Sequence, residues 1–205
     1  MMLKAKGQKR AKRVPKLCFI GLGNPGSKYD NTRHNIGFKI IDALNKKFSL
    51  SKQKPKFKGL LTTGNIESEK IYAIKPLTFM NNSGICIREL IEYFKIDSKE
   101  VIVFHDDLDI EFGKVKAKFA GSSAGHNGIE SIDKFIGKEY SRVRVGIGHP
   151  KQKKKVNNHV LEDFKEDEEE KMQEITESIV KLIPTLIDKK IDLFSSKVNQ
   201  NLNGF

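Results

Sequence analysis

Residues 19–35 read Phe-Ile-Gly-Leu-Gly-Asn-Pro-Gly-Ser-Lys-Tyr-Asp-Asn-Thr-Arg-His-Asn. The apolar start of this stretch is typical of a buried strand, and the glycines and Pro25 end that strand in a loop. The loop carries amides, an arginine and a histidine. Because a strand end is rigid and a loop that leaves it is exposed, polar side chains held there more often bind or catalyse than pack. The stretch therefore predicts a buried strand with a functional loop at its end.

Strands and helices alternate along the rest of the chain. Hydrophobic periodicity predicts strands at residues 17–22, 57–66, 71–74, 101–104 and 142–147, and helices at 36–48, 83–94, 127–136 and 162–193. Residues 113–125 are typical of a long loop around another strand, residues 150–158 of a basic loop, and Pro184 is expected to kink or divide the last helix. This alternation predicts an α/β fold, a single three-layer domain whose twisted, mostly parallel (mixed) sheet is flanked by helices.

The chain length suits one globular domain. We place this domain at residues 16–195, between a basic, disordered arm at 1–15 and a tail at 196–205. The two cysteines, Cys18 and Cys86, lie far apart in apolar surroundings, which favours buried thiols in a reducing compartment over a disulfide or a zinc site. The sequence has no apolar run of the roughly 18 residues that a membrane span needs. A cytoplasmic monomer is predicted.

The net charge of +12 is unevenly distributed. Residues 1–16 carry seven basic side chains and no acid, residues 162–177 carry nine carboxylates and two lysines, and residues 17–161 carry 25 basic and 15 acidic side chains. A basic body fits a polyanionic partner such as nucleic acid, and the alternative is a surface that only aids solubility.

Polar residues follow several of the predicted strands. In an open α/β sheet, sites form outside the carboxyl ends of the strands, where the loops converge. Four loops with polar groups are candidates, at residues 24–35, 78–83, 105–109 and 122–127. Together they offer histidine, carboxylate and side-chain amides, a set that suits hydrolysis of an ester by water. In such a reaction histidine takes the proton, the carboxylate orients the histidine, and the amides stabilise the oxyanion.

Two other patterns point to different chemistry. Residues 21–26, Gly-Leu-Gly-Asn-Pro-Gly, match the dinucleotide fingerprint, but no helix pattern begins at the last glycine and no acid closes a second strand about 20 residues on. Residues 121–125, Gly-Ser-Ser-Ala-Gly, match the nucleophile elbow of serine hydrolases, with Ser123 as nucleophile and Asp133 and His149 as partners. The helix pattern starts only after this motif, so we rank the serine mechanism below water activation.

Six motifs occur in order along the chain. They are Gly-Leu-Gly-Asn-Pro-Gly at 21–26, Thr-Arg-His-Asn at 32–35, Lys-Pro-Leu-Thr-Phe-Met-Asn-Asn-Ser-Gly at 75–84, His-Asp-Asp-Leu-Asp at 105–109, Gly-His-Asn-Gly at 125–128 and Arg-Val-Gly-Ile-Gly-His-Pro at 144–150. In this combination the chain resembles the bacterial-type peptidyl-tRNA hydrolases over residues 17–164. The resemblance implies a cofactor-free esterase, without a metal, that releases peptide from peptidyl-tRNA dropped prematurely by the ribosome.

The resemblance also implies roles for individual residues. His34 is the expected general base, Asp106 its orienting carboxylate, and Asn24 a group that discriminates an N-blocked peptidyl group from a free aminoacyl group. The expected substrate-binding residues form three pairs. Tyr29 and Phe79 stack a terminal base or sugar, and Asn81 and Asn127 hold the peptide main chain, the 3′ end and the attacked carbonyl or its water. Lys118 and Arg144 contact tRNA phosphate.

Several of these residues have plainer interpretations. His34 could cap a helix, Asp106 could bind backbone amides, Asn81 could be a turn residue, and Lys118 and Arg144 could be solvated charges. We interpret the remaining histidines outside the acidic motif, His126, His149 and His159, as structural. His105, Asp107 and Asp109 lack a convincing set of metal ligands.

Two departures from the family pattern affect the loop expected to face tRNA. Glu111 and Phe112 precede Gly113 where two prolines are common, and Ala120 stands where glycine is usual.

A non-catalytic RNA-binding relative of the same fold is the alternative to an enzyme.

Overall fold

The protein folds around one seven-stranded sheet. The computed structural model describes residues 16–150 and 156–203, so the predicted arm at 1–15 lies outside the described residues. The strands are β1 (Lys16–Gly21), β2 (Lys54–Lys56), β3 (Gly59–Ile66), β4 (Glu69–Pro76), β5 (Val101–Asp107), β6 (Val115–Phe119) and β7 (Ser141–Gly146). The helices are α1 (Ile36–Lys47), α2 (Ser83–Phe94), α3 (Asn127–Ile136), α4 (Val156–Leu161), α5 (Glu166–Lys181), α6 (Ile183–Ile187) and α7 (Ile191–Asn203).

The sheet is parallel at its centre and antiparallel at both ends. Its strand order is β2-β3-β4-β1-β5-β7-β6. β1 pairs in parallel with β4 and β5, and β5 pairs in parallel with β7, whereas β2, β3 and β6 join through antiparallel ladders. The predicted mixed α/β sheet is confirmed. The carboxyl ends of β1, β4, β5 and β7 therefore meet along one side of the domain.

Two cores lie on opposite faces of the sheet. Along β1, Leu17 and Phe19 pack with α1, α5 and α7, whereas Cys18 and Ile20 pack with α2 and α3. Every residue of β5 is buried, as expected of a central parallel strand covered on both faces. This arrangement gives the three predicted layers. None of the described helices combines the length and the apolar character that crossing a membrane requires.

The C-terminal third differs from the prediction. The long helix expected from residue 162 is divided into α5, α6 and α7, with Pro184 in the first turn of α6 as the proline rule suggests. α4 occupies part of the segment predicted as a basic loop. The expected tail boundary at residue 196 falls inside α7, because Phe194 and Val198 are fully buried against the core.

The last helix also bonds to the outermost strand of the sheet. The backbone N–H of Ala117 in β6 donates to Ser195 Oγ at 2.7 Å. Asn199 accepts from the N–H of Val115 at 3.0 Å and donates to its carbonyl at 2.8 Å. Side chains of α7 thus bond to three backbone groups of β6, the edge strand of the sheet. Residues 196–203 are part of the domain rather than a tail.

Candidate active site

The loop after β1 carries His34 to the end of β5. His34 lies in a short 3-10 turn, Arg33–Asn35, that leads directly into α1. The first turn of α1 approaches the sheet so closely that a Cβ on Gly37 would come within 2.5 Å of the carbonyl oxygens of Leu22 and Phe104. Only glycine fits this contact. The close approach places the histidine beside Asp106, two residues beyond Phe104 in β5.

His34 and Asp106 form a buried hydrogen bond. Nδ1 of His34 lies 2.8 Å from Oδ1 of Asp106, and the two residues are 7% and 1% exposed. Since a carboxylate only accepts, Nδ1 carries the proton, and Nε2 keeps its lone pair. Nε2 makes no hydrogen bond to any residue that the structure describes. The bond therefore leaves His34 with a free basic nitrogen.

The environment favours charge on both partners. Burial opposes the imidazolium of His34, but the negative charge of Asp106 and its hydrogen bond outweigh burial and raise the pKa of His34 above its ordinary value. Burial alone would raise the pKa of Asp106, but His34 and His126 more than compensate, so this pKa lies well below its usual range. Asp106 is thus ionised in the folded protein and stabilises a proton on His34.

His126 is a second histidine bound to the same carboxylate oxygen. It is the N-cap of α3, where its Nδ1 accepts from the N–H groups of Gly128 at 3.1 Å and Ile129 at 3.3 Å. The proton of this ring therefore lies on Nε2, which donates to Oδ1 of Asp106 at 3.0 Å. The structural interpretation of His126 was incomplete, since this residue both caps a helix and binds the carboxylate of Asp106. Its place in the Gly-His-Asn-Gly motif is the available sequence signal.

The third histidine of this region, His105, packs behind the other two. Its Nδ1 donates to the carbonyl of Asp106 at 2.6 Å, and its ring meets the His126 ring edge-on at 4.7 Å between centroids. Burial, reinforced by His126, lowers the pKa of His105 well below its ordinary value. His105 is therefore neutral and supports the His126 ring.

His34, Asp106 and His126 have ligand atoms within 4.8 Å of one another, a spacing at which a metal could be considered. However, the two nitrogens that meet Asp106 carry protons, so they direct N–H groups and not lone pairs at the shared point. The donor set fits a hydrogen-bond network better than a metal centre. That the protein needs no metal and no cofactor stays a prediction.

Asn24 is fixed beside the turn that carries His34 by a second asparagine, Asn35. Asn35 accepts from the backbone N–H of Asn24 at 2.8 Å and donates to its carbonyl at 2.9 Å. The side-chain oxygen of Asn24 accepts from the N–H of Met80 at 2.9 Å. Its Nδ2 group has no hydrogen-bond partner within the described ranges and remains available to a ligand. Sequence reasoning missed Asn35, whose position next to His34 in Thr-Arg-His-Asn was the only signal.

Asn81 and Asn127 are exposed at the starts of two helices. Asn81 lies in the 3-10 turn Met80–Asn82 before α2, and Asn127 is the first residue of α3. The two helix starts are in contact, because Gly128 faces the sulfur of Met80 at a distance that leaves no room for a Cβ. The two amides therefore lie on neighbouring turns, and Asn127 lines the same cleft as His34.

The two predicted aromatic residues form a pair. The rings of Tyr29 and Phe79 meet edge-on at 6.5 Å between centroids, and Phe79 is 53% exposed. The backbone of Phe79 has a φ of 57°, which is rare for a residue with a side chain. Such strain persists only where neighbouring contacts hold it, and here Met80 is held by Asn24. The strained backbone keeps the Phe79 ring exposed next to Tyr29.

His34 and Asp106 lie in a cleft of about 240 Å³. His34, Asp106, His126 and Asn127 line it, and Val156, Asn157 and Val160 of α4 lie across from them. The predicted groups Asn24, Asn81, Tyr29 and Phe79 do not line this cleft. Asn24 is bonded to Asn35, the residue after His34, and to Met80. Phe79 and Asn81 flank Met80 in the chain, and Tyr29 contacts Phe79. A larger groove of about 850 Å³ lies between α1 and α5 and contains none of the predicted site residues.

Lys118 and Arg144 lie on the adjacent strands β6 and β7, outside the cleft. Nε of Arg144 donates to Oδ2 of Asp107 at 2.7 Å, so this arginine is anchored and is not a freely solvated charge. Burial, followed by the positive charges of Arg144 and Arg142, lowers the pKa of Lys118. Two cations held close together favour an anion between them.

The geometry does not assemble the triad of the serine hydrolase alternative, although Ser123 and His149 both line the cleft. Ser123 lies in a loop, and α3 begins only at Asn127. The proposed acid, Asp133, accepts from Arg142 at 2.9 Å and from the Tyr140 hydroxyl at 2.7 Å. Asp133 therefore has a structural role in the core and cannot orient His149. The dinucleotide motif is likewise followed by loop and 3-10 turns until α1 begins at Ile36.

Comparison with known proteins identifies the family. The profile described as peptidyl-tRNA hydrolase matches residues 18–204. The chain belongs to the peptidyl-tRNA hydrolase family. It is 75% identical over 183 residues to the peptidyl-tRNA hydrolase of Pelagibacter ubique (strain HTCC1062), an alignment that covers 89% of this chain and 98% of the relative. The corresponding protein of Bartonella quintana (strain Toulouse) is 47% identical over 88% of this chain and 93% of its own length.

Solved structures agree with this family. The crystal structure of the peptidyl-tRNA hydrolase from Acinetobacter baumannii superposes with a TM-score of 0.85 at 33% identity, and the match covers 92% of this chain and 97% of that one. Futalosine hydrolase of Helicobacter pylori, with a TM-score of 0.50 and 8% identity, shares only the fold. The family match begins at residue 18 and runs through α7, so the last helix is a regular part of the peptidyl-tRNA hydrolase fold.

Proposed function

We propose that this protein hydrolyses the ester bond between the carboxyl end of a peptide and the 3′-terminal ribose of tRNA. Membership of the peptidyl-tRNA hydrolase family supports this substrate. The observation that carries the proposed mechanism is the bond between His34 Nδ1 and Asp106 Oδ1 at 2.8 Å, which leaves Nε2 of His34 free as a base in the cleft.

In the proposed reaction, His34 Nε2 accepts a proton from water. The water oxygen bonds to the ester carbonyl carbon, and the negative charge of the tetrahedral intermediate lies on the former carbonyl oxygen. The bond between that carbon and the ribose oxygen then breaks, and the imidazolium returns its proton to the ribose. Asp106 stabilises the imidazolium throughout. The same charge and hydrogen bond of Asp106 raise the pKa of His34 in the free protein.

Neutral amides would stabilise the oxyanion and hold the substrate. Asn127 lines the cleft, and Asn81 lies on the neighbouring turn, so both suit the peptide main chain, the 3′ end, the attacked carbonyl and its water. One such donor is worth roughly 3 to 4 kcal/mol to a transition state in enzymes where it was removed. The free Nδ2 group of Asn24 suits recognition of the acylated amino group that distinguishes a peptidyl from an aminoacyl ester.

The RNA would bind on both sides of the cleft. Tyr29 and Phe79 offer aromatic surface to the terminal base or sugar. Lys118 and Arg144 offer paired positive charge to a phosphate farther along the tRNA. The action on stalled translation products, the cytoplasmic location and the monomeric state belong to this proposal.

Turnover of an N-blocked aminoacyl-tRNA tests the proposed function. We expect the parent chain to release the acyl group, His34→Ala to abolish release, and Ser123→Ala to leave it unchanged. Loss of activity in the serine variant alone would support a serine esterase. Binding of tRNA by the parent chain without turnover would support a non-catalytic relative.

A further inference from the structure

One wall of the cleft is weakly packed. α4 spans only Val156–Leu161 and contains no buried residue, yet three of its side chains line the cleft. Val160 packs partly buried against the core, and the other contacts that hold α4 are polar. One attachment is the bond between His159 Nε2 and the carbonyl of Ile147 at 3.2 Å.

A further attachment comes from Arg33, the residue before His34. Nη1 of Arg33 donates to the carbonyls of His159 at 3.4 Å and Glu162 at 3.2 Å. Its Nη2 donates to Oε2 of Glu168 at 2.7 Å, and the guanidinium lies 5.4 Å from the centre of the Phe164 ring. Arg33 is 4% exposed. One side chain thus joins the catalytic turn to the end of α4 and to the start of α5.

We propose that Arg33 is a positioning residue that holds α4 as a wall of the catalytic cleft and so sets the affinity for substrate. This inference rests on the proposed function. A planar group with several fixed donors can reach two carbonyls and a carboxylate at once, which a lysine cannot do. The contact with the Phe164 ring helps to hold the guanidinium in place.

The chemistry of His34 does not depend on this side chain. The backbone of the catalytic turn has its own ties to the same segment, from Arg33 N–H to the Glu162 carbonyl at 3.1 Å and from Phe164 N–H to the Asn31 carbonyl at 3.3 Å. These bonds survive a change of the Arg33 side chain. Loss of the guanidinium therefore loosens α4 while the bond between His34 and Asp106 persists.

The chain offers a matched control. Lys39 of α1 pairs with Glu169 at 2.5 Å, so it also joins the first helix to α5, one residue after Glu168. It contacts neither α4 nor the cleft. We compare Arg33→Lys and Glu168→Gln with Lys39→Met and Glu169→Gln.

Steady-state turnover of an N-blocked aminoacyl-tRNA gives the decisive measurement. We expect Arg33→Lys to raise KM about tenfold with kcat within about twofold of the parent, because the lost contacts hold the wall and not the reacting groups. Glu168→Gln should raise KM less, since it removes one charged contact. The acid limb of the kcat profile should stay where it is in the parent. The two control variants should keep the parent KM.

A structural measurement distinguishes positioning from general stability. Hydrogen exchange of the amides in residues 156–161 should be faster in Arg33→Lys and unchanged in the controls. A lower melting temperature with an unchanged KM would overturn the proposal, as would an equal rise of KM in the Lys39 and Glu169 variants. If Arg33→Lys does not fold, an unchanged KM in Glu168→Gln would overturn it. Absence of turnover in the parent chain would contradict the proposed function. Faster exchange in α4 of Arg33→Lys would still show that Arg33 holds this helix.

Discussion

Replacing Asp106 with asparagine removes one negative charge from the cleft and keeps the shape of the side chain. Both histidines bond to the same oxygen, Oδ1. The amide oxygen of asparagine can accept from both N–H groups in that position, so neither ring has to change its tautomer. The substitution therefore isolates the contribution of the charge.

The size of the effect follows from the geometry. With the charges of Asp106 and the His34 imidazolium about 4 Å apart, an effective dielectric constant near 20 gives an attraction of about 4 kcal/mol. The imidazolium forms as the reaction proceeds, so this attraction is lost from the transition state and not from the neutral ground state. We expect kcat to fall by about a thousandfold at pH values where His34 is deprotonated.

The pH profile gives an independent check with a defined sign. The charge of Asp106 raises the pKa of His34, and burial lowers it. His34 acts as a base when neutral, so kcat/KM of the parent falls as the pH falls through this raised pKa. In Asp106→Asn only the opposing effect of burial remains, and the acid limb should move to lower pH. The assay is release of the acyl group from an N-blocked aminoacyl-tRNA across the pH range.

The control for this substitution is Asp42→Asn, which removes the same charge from a carboxylate on α1 that pairs with Lys75 of β4. It should leave both kcat and the acid limb unchanged. A loss below about tenfold in Asp106→Asn, with the acid limb unmoved, would refute the role of Asp106. A loss near ten thousandfold would indicate that the amide nitrogen faces a histidine and has changed its tautomer.

Three further substitutions test other parts of the structure. His126→Ala should lower the free energy of unfolding by about 1 kcal/mol through loss of the α3 N-cap, as urea denaturation measures, and should lower kcat because Asp106 loses one donor. Lys118→Ala should raise KM and reduce the slope of log KM against log salt by about one, and an unchanged slope would exclude a phosphate contact. Gly37→Ala should lower the free energy of unfolding by about 1 to 3 kcal/mol, because the added methyl group meets backbone oxygens, and unaltered denaturation would contradict the close approach.

The central part of the fold could be predicted because its signals are local. β1 and β5 are apolar runs that end in polar loops, and the helices between them have regular apolar spacing. α4 gave no such signal because none of its residues is buried. The break between α6 and α7 was also hidden, since Lys189 takes the left-handed conformation there without a glycine. The apolar residues of α7, Phe194, Val198 and Leu202, recur every four residues past the predicted end of the domain.

The proximity of His34 and Asp106 could be predicted because the carboxyl ends of neighbouring parallel strands meet. The contact of His126 with Asp106 could not, since it depends on how the preceding loop folds back. That loop is held by Arg142, whose Nη1 donates to the Ser122 carbonyl at 2.6 Å from the buried face of β7. Arg33 was missed for a similar reason, because its acceptors lie more than a hundred residues away in sequence.

The polar contacts between α7 and β6 have a consequence for how the protein behaves in a crowded solution. A free strand at the margin of a sheet can recruit a strand from another molecule and start aggregation. Ser195 and Asn199 occupy three backbone groups of β6, on Val115 and Ala117, that such a strand would use. At the opposite edge of the sheet, β2 reads Lys-Pro-Lys. Pro55 has no N–H to donate to an added strand, and the two lysine charges disfavour pairing with a strand of another molecule. A chain truncated before α7 would lose the first protection and keep the second, which makes its β6 margin the place where self-association would begin.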